Sequence, residues 1–404
     1  MHILILDLTH GGDVLAERYI RKGHEVTAVD IYGLAKDSDL ELLRSRGIIA
    51  EREVPVGHYD LLVSPVHCPD SYISGASYGQ RMNFHQAVGS LVDNGIRRVE
   101  VTGVKGKTTA CYLLARILSM DGSRVLLHTS RARESWEDGE GTVLDDSVSI
   151  APTSLLTLPE EGYDVIVAEV SLGGSGEAAL SLMTNLAEDY PIANGTRRAS
   201  EAKASVFNPK GVNLIPSNEM DVWQGHAPPG VKGYGGEVDF LSPPILGGPQ
   251  IIEVMDEVLE LSPDSLLWIA RGSLDAAVAA SISLGVSKDA ILEGLRGFKG
   301  VTGRCQYSSI NGTHVVTERN PGISSLSMGH MLGQISREND LKGALIVVIP
   351  ANRKVCEKMD LVEMETHASS HGAEMMVCDG DPPDLQSLAE DRHTILVFQK
   401  EAYQ

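Results

Sequence analysis

Residues 99–118 read VEVTGVKGKTTACYLLARIL, and the fold class turns on them. Val99, Glu100 and Val101 read as the end of a buried strand. Residues 102–106 read as a glycine-bearing turn, and Lys107 opens a helix with an apolar stripe through Tyr112, Leu113, Ala115 and Leu118. Strand, glycine turn and helix in that order build a phosphate site. Backbone N–H groups of the loop point inward at a polyphosphate and the helix N-terminus adds partial positive charge, while Lys107 supplies a cation and the Thr108 hydroxyl a ligand for Mg²⁺. The spacing is GxxGKTT rather than GxxxxGK[ST], because Val101 stands five positions before Gly106. The alternative is a helix that merely begins Gly-Lys-Thr-Thr, and the strand directly upstream weighs against it.

The chain of 404 residues is long enough for two or three domains with cores of their own. A formal charge of -21 repels nucleic acid and anionic membrane, no Lys/Arg-rich run offsets it, and five Phe with three Trp leave little surface for base stacking. Neither nucleic acid nor membrane is an expected partner. No apolar run is long enough to span a bilayer, and MHILILDLTHGG reads as a strand and glycine turn rather than a basic, cleavable signal, so a cytoplasmic location is expected. Cys68, Cys111, Cys305, Cys356 and Cys378 are scattered without CxxC spacing, which suggests buried free thiols rather than disulfides or a zinc site.

Outward from the loop, strands and helices alternate, so the fold class is α/β. Residues 1–95 begin βαβαβ with HILILDL, DVLAERYIRKG, EVTAVD, DSDLELLRSRG and YDLLVSP. Gly11 and Gly12 after the first strand, with Asp30 ending the second, read either as a nucleotide-binding turn with its ribose acid or as a tight strand-to-helix turn. Residues 96–300 add the strands SRVLLHTS, YDVIVAEVS and GVNLIPS and the helices DAAVAASISLG and KDAILEGLRGF, with a Gly/Pro-rich loop over 227–248. Residues 301–404 carry a hairpin at SINGTHVV, a helix after Pro321, and the strands GALIVVIP, AEMMVCD and HTILVFQ.

In YDVIVAEVSLGG the apolar run ends in Glu169, where an acid beside the phosphate loop would ligate Mg²⁺; otherwise it is a strand-end carboxylate facing water. Lys203, in ASEAKASVF, reads by itself as a solvated surface residue. The order GxxGKTT, a strand ending E-V-S, T-N-(x)3-D, A-K-(x)2-F, then G-R before a last α/β segment resembles the Mur ligase superfamily, which includes muropeptide ligases and folylpolyglutamate synthetase. The resemblance spans nearly the whole chain. It implies a three-domain architecture: a Rossmann-like N-terminal substrate domain (1–95), a central P-loop ATPase domain (96–300) and a C-terminal α/β ligase domain (301–404).

The resemblance also implies roles. Gly103, Val104, Lys105, Gly106, Lys107, Thr108 and Thr109 would hold the ATP phosphates, with Thr108, Glu169 and Lys203 as the metal set. Lys203 matches a family lysine that is often carbamylated, and Lys107, Glu169 and Lys203 would carry catalysis. Arg304 would contact the nucleotide at the entry to the last domain; Glu318 and Asn320 in TERNPG would lie near ribose and γ-phosphate. Where the family commonly has Asp-His this chain has Asp189-Tyr190, which removes one expected metal ligand, and the helix GSLDAAVAAS lacks the usual asparagine spacing on the adenine side.

LILDLTHGGDVLAERYIRKGHEVTAVDIYG, with SPVHCP, EVSLGG and ERNPGI, is similar to the archaeal branch known as coenzyme F(430) synthetase. That branch implies ATP activation of a propionate on a nickel tetrapyrrole, closed into a carbocycle by a carbon nucleophile, in methanogens. An amide-forming Mur-like ligase, a P-loop phosphotransferase and a nucleotide-gated binding protein remain as alternatives. Arg131, Arg133, Arg197, Arg198 and Arg319 are candidate cations for a polycarboxylate rim, or surface arginines. His10 and His67 lie at predicted strand ends, as cleft residues or hydrogen-bonded loop histidines, and neither is assigned to nickel.

Overall fold

A computed structural model describes residues 1–92, 95–146, 148–187, 189–351, 359–380 and 382–401. Cys356 lies outside them; Cys68 and Cys111 are buried, and Cys305 and Cys378 half-buried, as free thiols. Two compact units are distinguished: residues 1–107, 123–137 and 141–234, and residues 108–122, 138–140 and 235–404.

The first unit opens with a five-stranded sheet. It runs β1 (His2–Leu6), α1 (Asp13–Arg21), β2 (Glu25–Val29), α2 (Asp37–Ser45), β3 (Ile49–Glu51), β4 (Gly57–Ser64), β5 (Ala76–Asn83) and α3 (Phe84–Leu91). The order is β3-β2-β1-β4-β5 and every pairing is parallel. Continuous apolar runs suit strands covered on both faces: Ile3, Leu4, Ile5 and Leu6 are all fully buried. The strand order reverses between β1 and β4, which makes the gap beyond their carboxyl ends the place where such sheets bind ligands. Gly12 permits the tight turn there, since a Cβ would stand 2.1 Å from the Asp7 carbonyl oxygen.

An eight-stranded sheet follows, built from β6 (Arg97–Thr102), β7 (Val125–His128), β8 (Arg133–Glu137), β9 (Glu140–Asp145), β10 (Val165–Glu169), β11 (Leu180–Met183), β14 (Val212–Pro216) and β15 (Lys232–Tyr234). Between them lie the two-residue pair β12 (Pro191–Ile192) and β13 (Arg197–Arg198), the short helix α5 (Ala199–Lys203) and, after β14, α6 (Met220–Trp223). The order β15-β14-β11-β6-β10-β7-β8-β9 puts β6 between β11 and β10, all parallel.

Helix α4 (Lys107–Met120) buries the expected stripe of Tyr112, Leu113, Ala115 and Leu118 and more besides. It is buried over 108–115 and 117–119, on every side rather than one, because Ala110, Cys111 and Ala115 are small and Arg116 carries its charge out to the carbonyls of Gly139 and Gly294. In the second unit α4 is joined by the antiparallel strands β16 (Val238–Phe240), β17 (Gln250–Val254) and β18 (Glu257–Leu261), then α7 (Arg271–Leu284) and α8 (Lys288–Arg296). The 227–248 segment expected to be loop holds β15 and β16, whose short apolar cores, Tyr234 and Val238, are buried. The last sheet comprises β19 (Gln306–Ile310), β20 (Thr313–Asn320), β21 (Leu345–Ile349), β22 (Glu374–Val377) and β23 (Thr394–Lys400), in the order β19-β20-β23-β21-β22, with α9 (Ser325–Ile335) and α10 (Leu361–Ser370) between strands. The β19–β20 turn has Asn311 at φ +52° and Gly312 at +87°, the positive pair a two-residue hairpin needs.

Candidate active site

The phosphate loop leaves the carboxyl end of β6, and register places Val101 of β6 opposite Glu169 at the end of β10. Gly103, at φ +142°, lies so close to the segment after β11 that a Cβ would stand 2.0 Å from Thr184 Oγ1. The loop is clamped there. Val104 N donates to Asn185 O at 2.9 Å and Lys105 N to Asn185 Oδ1 at 3.1 Å, while Lys105 O accepts from Thr184 Oγ1 at 2.6 Å and from Asn185 Nδ2 at 2.9 Å. Thr184 and Asn185 therefore hold the loop's shape. Sequence reading named them only as motif letters; their adjacency to a strand end was the available signal.

Two ammonium groups converge on one carbonyl. Lys107 Nζ donates to Gly103 O at 3.3 Å and Val104 O at 3.5 Å, and Lys203 Nζ donates to Gly103 O at 2.9 Å. Lys203 is buried at 2 % exposure, which corrects its reading as a solvated surface residue: α5 buries Ala199, Ser200, Ala202 and Lys203 and leaves Glu201 exposed. Glu169 is equally buried; its Oε1 lies 3.8 Å from Lys107 Nζ, and its Oε2 accepts from Ser130 N and Oγ at 3.2 and 3.3 Å. The alternative of a strand-end carboxylate facing water is thereby excluded. The loop, Lys107, Glu169 and Lys203 are thus brought together, and Thr108 and Thr109 follow in the first turn of α4.

Asp189 accepts from Ser200 N at 2.8 Å and Ser200 Oγ at 2.9 Å, so it braces the start of α5. Below the loop, Glu100 accepts from Arg98 Nε at 2.6 Å, from Ser175 N at 2.6 Å and from Ser175 Oγ at 2.5 Å. This buried ion pair was not foreseen, though charges two apart in an apolar strand share a face and signal it.

Of the candidate rim arginines, Arg133 donates to Thr157 Oγ1 (3.2 Å), Arg197 to Val66 O (3.2 Å) and Arg198 to Asp189 O (2.9 Å), and Arg131 is exposed. Within the second unit, Glu318 Oε2 accepts from Cys305 N at 2.7 Å, Glu318 Oε1 accepts from Asn320 Nδ2, and Asn320 Oδ1 accepts from Gly322 N at 2.9 Å. Arg304, half-buried, adjoins Cys305 in the chain, and burial beside Glu318 raises the Cys305 thiol well above its ordinary value. Arg319 is exposed and paired with Glu401 at 2.7 Å.

The residues fit the groups the resemblance implies. A loop bearing two lysines, with a buried carboxylate alongside and a Thr-Thr helix start, offers charge complementary to a polyphosphate and an oxygen set suited to a hard divalent cation. No helix among the described residues is long and apolar enough to cross a membrane.

No family model matches the chain. Among curated proteins it is 31% identical to the coenzyme F(430) synthetase of Methanosarcina acetivorans, over 88% of this chain and 84% of that protein. Among solved structures it is similar to UDP-N-acetylmuramoylalanyl-D-glutamyl-2,6-diaminopimelate–D-alanyl-D-alanyl ligase from Acinetobacter baumannii, with a TM-score of 0.53 and 16% identity over 99% of this chain and 90% of that one. A bifunctional folylpolyglutamate synthase/dihydrofolate synthase solved with Mn, AMPPNP and L-glutamate bound matches with a TM-score of 0.52 and 18% identity, over 78% of this chain and 89% of that one. The architecture is the three-domain Mur ligase type, and the enzyme class is an ATP-dependent ligase. The chain belongs to the coenzyme F(430) synthetase family.

Proposed function

We propose that this protein uses ATP to activate a propionate carboxylate of a nickel tetrapyrrole, the seco-acid precursor of coenzyme F(430), and closes it into a carbocycle by attack of a substrate carbon. The observation that carries the reading is the 31% identity to a coenzyme F(430) synthetase across 88% of the chain. The domain limits 1–95, 96–300 and 301–404 belong to the same reading, as does a cytoplasmic setting.

The residues' tasks follow from their chemistry. The amides of Val104 and Lys105 are engaged by Asn185, so these two residues shape the loop, and the start of α4 at Lys107 would bring its helix N-terminus to the phosphates. Lys107 swings from the Gly103 carbonyl to the γ-phosphate and offsets charge as the carboxylate attacks phosphorus. Thr108 and Glu169 would hold Mg²⁺, which would supply further charge neutralisation on the phosphates. Lys203, carbamylated, turns from cation to oxyanion beside the loop. Arg304, Glu318 and Asn320 serve the nucleotide. The product of the first step is an acyl phosphate and ADP, and the second step releases phosphate as the new carbon–carbon bond forms; positioning supplies most of the rate.

Incubation with ATP and the nickel seco-acid in the absence of any amine tests the reading. ADP, free phosphate and a changed tetrapyrrole absorbance are expected together. Turnover only when an amino acid is added points to the amide-forming ligase, a phosphorylated stable product to a phosphotransferase, and no turnover to a binding protein.

A further inference from the structure

The N-terminal sheet carries a second cluster that the phosphate loop leaves unused. It sits at the carboxyl ends of β1 and β4, where the strand order reverses. Asp7, just past β1, is fully buried and held at φ +79°, a conformation that strains any residue with a side chain. Its Oδ1 accepts from the amides of Thr9 (2.7 Å) and His10 (3.3 Å), and its Oδ2 lies 2.5 Å from His10 Nδ1. With the Asp7 carboxylate accepting from Nδ1–H, the neutral imidazole carries its lone pair on Nε2, on the far side of the ring. The ring itself is about half exposed, at 49%. His67, three residues past β4, meets it edge-on with centroids 4.9 Å apart, and Tyr32 lies nearly parallel to His67 at 16°.

Two links join this cluster to the phosphate loop inside the same unit. Thr153 Oγ1 donates to His10 O at 3.3 Å, and nearby Ile150 O accepts from Ser171 N at 2.8 Å, two residues past Glu169. On the other side, Val66 accepts from Arg197 and packs in one cluster with Ala202, the neighbour of Lys203. Both links run inside one unit, from the His10 turn to the segments that follow Glu169 and carry Lys203.

We propose that Asp7 and His10 form the base of ring closure, with His10 Nε2 taking the proton that the nucleophilic carbon of the substrate gives up. As the carbon–hydrogen bond breaks, its electron pair forms the new carbon–carbon bond to the acyl carbon. The acyl carbon–oxygen bond to phosphate then breaks, phosphate departs with that pair, and Asp7 stabilises the imidazolium left behind. The groups facing His10 agree with this role. The hydrogen bond that His10 donates to Asp7 outweighs burial and raises the His10 pKa, whereas burial and the His10 charge lower that of His67, and burial raises that of the Tyr32 hydroxyl. Asp7, His10 and His67 also offer donor atoms within 4.8 Å of one another, a spacing open to a divalent cation, but both Asp7 oxygens already accept hydrogen bonds.

The inference rests on the function proposed above, and its test separates the two half-reactions in the full-length protein. Hydroxylamine traps the acyl phosphate as a hydroxamate, and tetrapyrrole absorbance reads ring closure, both across pH 5.5–9 (about the range over which a histidine titrates). For His10→Gln, hydroxamate should form within about threefold of wild type while ring closure falls by about 100-fold or more. For Asp7→Asn, ring closure should slow and its acid limb move to lower pH, and imidazole should partly restore His10→Ala. Ring closure by His10→Gln at the wild-type rate, or hydroxamate and ring closure falling in step, overturns the assignment. So does a cobalt(II) titration showing a bound ion in wild type that His10→Gln loses. Wild type making neither hydroxamate nor ring overturns the functional reading first, and this one with it.

Discussion

Glu100→Ala is the perturbation with the largest effect that the site's foundations predict. Glu100 and Arg98 lie on β6, at 0% and 3% side-chain exposure, with Arg98 Nε 2.6 Å from Glu100 Oε1. Glu100 also anchors Ser175, through an amide and a hydroxyl, and Arg98 donates to that hydroxyl at 3.3 Å. Removing the acid takes the Glu100 carboxylate away from a buried guanidinium and from the Ser175 amide and hydroxyl, and breaking a buried pair by removing one partner costs about 3–5 kcal/mol. For a unit of this size that converts to a fall in Tm of about 6–20 °C by calorimetry, at roughly 2–4 °C per kcal/mol. The double replacement Arg98→Met with Glu100→Leu removes both charges and fills their volume, so it should recover most of the loss, since well-packed apolar pairs are about as stable as buried ion pairs. A Glu100→Ala protein within about 2 °C of wild type, or a double variant whose loss equals the sum of the singles, would refute the reasoning.

Gly103→Ala forces a Cβ to 2.0 Å from Thr184 Oγ1 at a φ of +142°, so the loop must move; ADP formation is expected to drop about 100-fold, the cost of a misplacement near 1 Å. Glu169→Gln removes the buried anion facing Lys107 and should raise the Mg²⁺ concentration for half-maximal rate by about tenfold or more, read by titration. Acid stability rests partly on His85, whose pKa burial lowers to about 4 from an ordinary 6.5. The unfolded chain takes a proton there that the folded chain refuses, so the contribution is whole above pH 6.5 and is lost as pH falls toward 4. At about 1.4 kcal/mol per pH unit the loss is about 3 kcal/mol, and His85→Leu should flatten the urea-measured stability profile by that amount; an unchanged slope contradicts it.

Much of this was legible in the letters because the strands are continuous apolar runs and the turns carry glycine. HILILDL, EVTAVD and YDLLVSP read as the strands of a parallel βαβαβ beginning and GKTT beyond VEV as a helix start at a strand end, and each of these elements forms. The Asn311-Gly312 turn announced its hairpin in the same way. What stayed hidden depends on contacts distant in sequence. Lys203 meets Gly103 across 100 positions and Asn185 meets Lys105 across 80, and no periodicity carries such pairings. The stripe read on α4 is buried as expected, and what it did not show is that small residues and one long arginine let the rest of the helix be buried too. The Asp7–His10 bond is local, three residues apart, but a buried acid at positive φ leaves no mark in composition.

The central claim is that the loop seats ATP so that a bound carboxylate becomes a mixed anhydride with phosphate. The most direct measurement uses nickel seco-acid labelled with oxygen-18 in its propionate carboxylate and follows the phosphate released during turnover by mass spectrometry. The account predicts that each phosphate carries a single heavy oxygen transferred from the substrate. Phosphate without label, while ring closure proceeds, would contradict it.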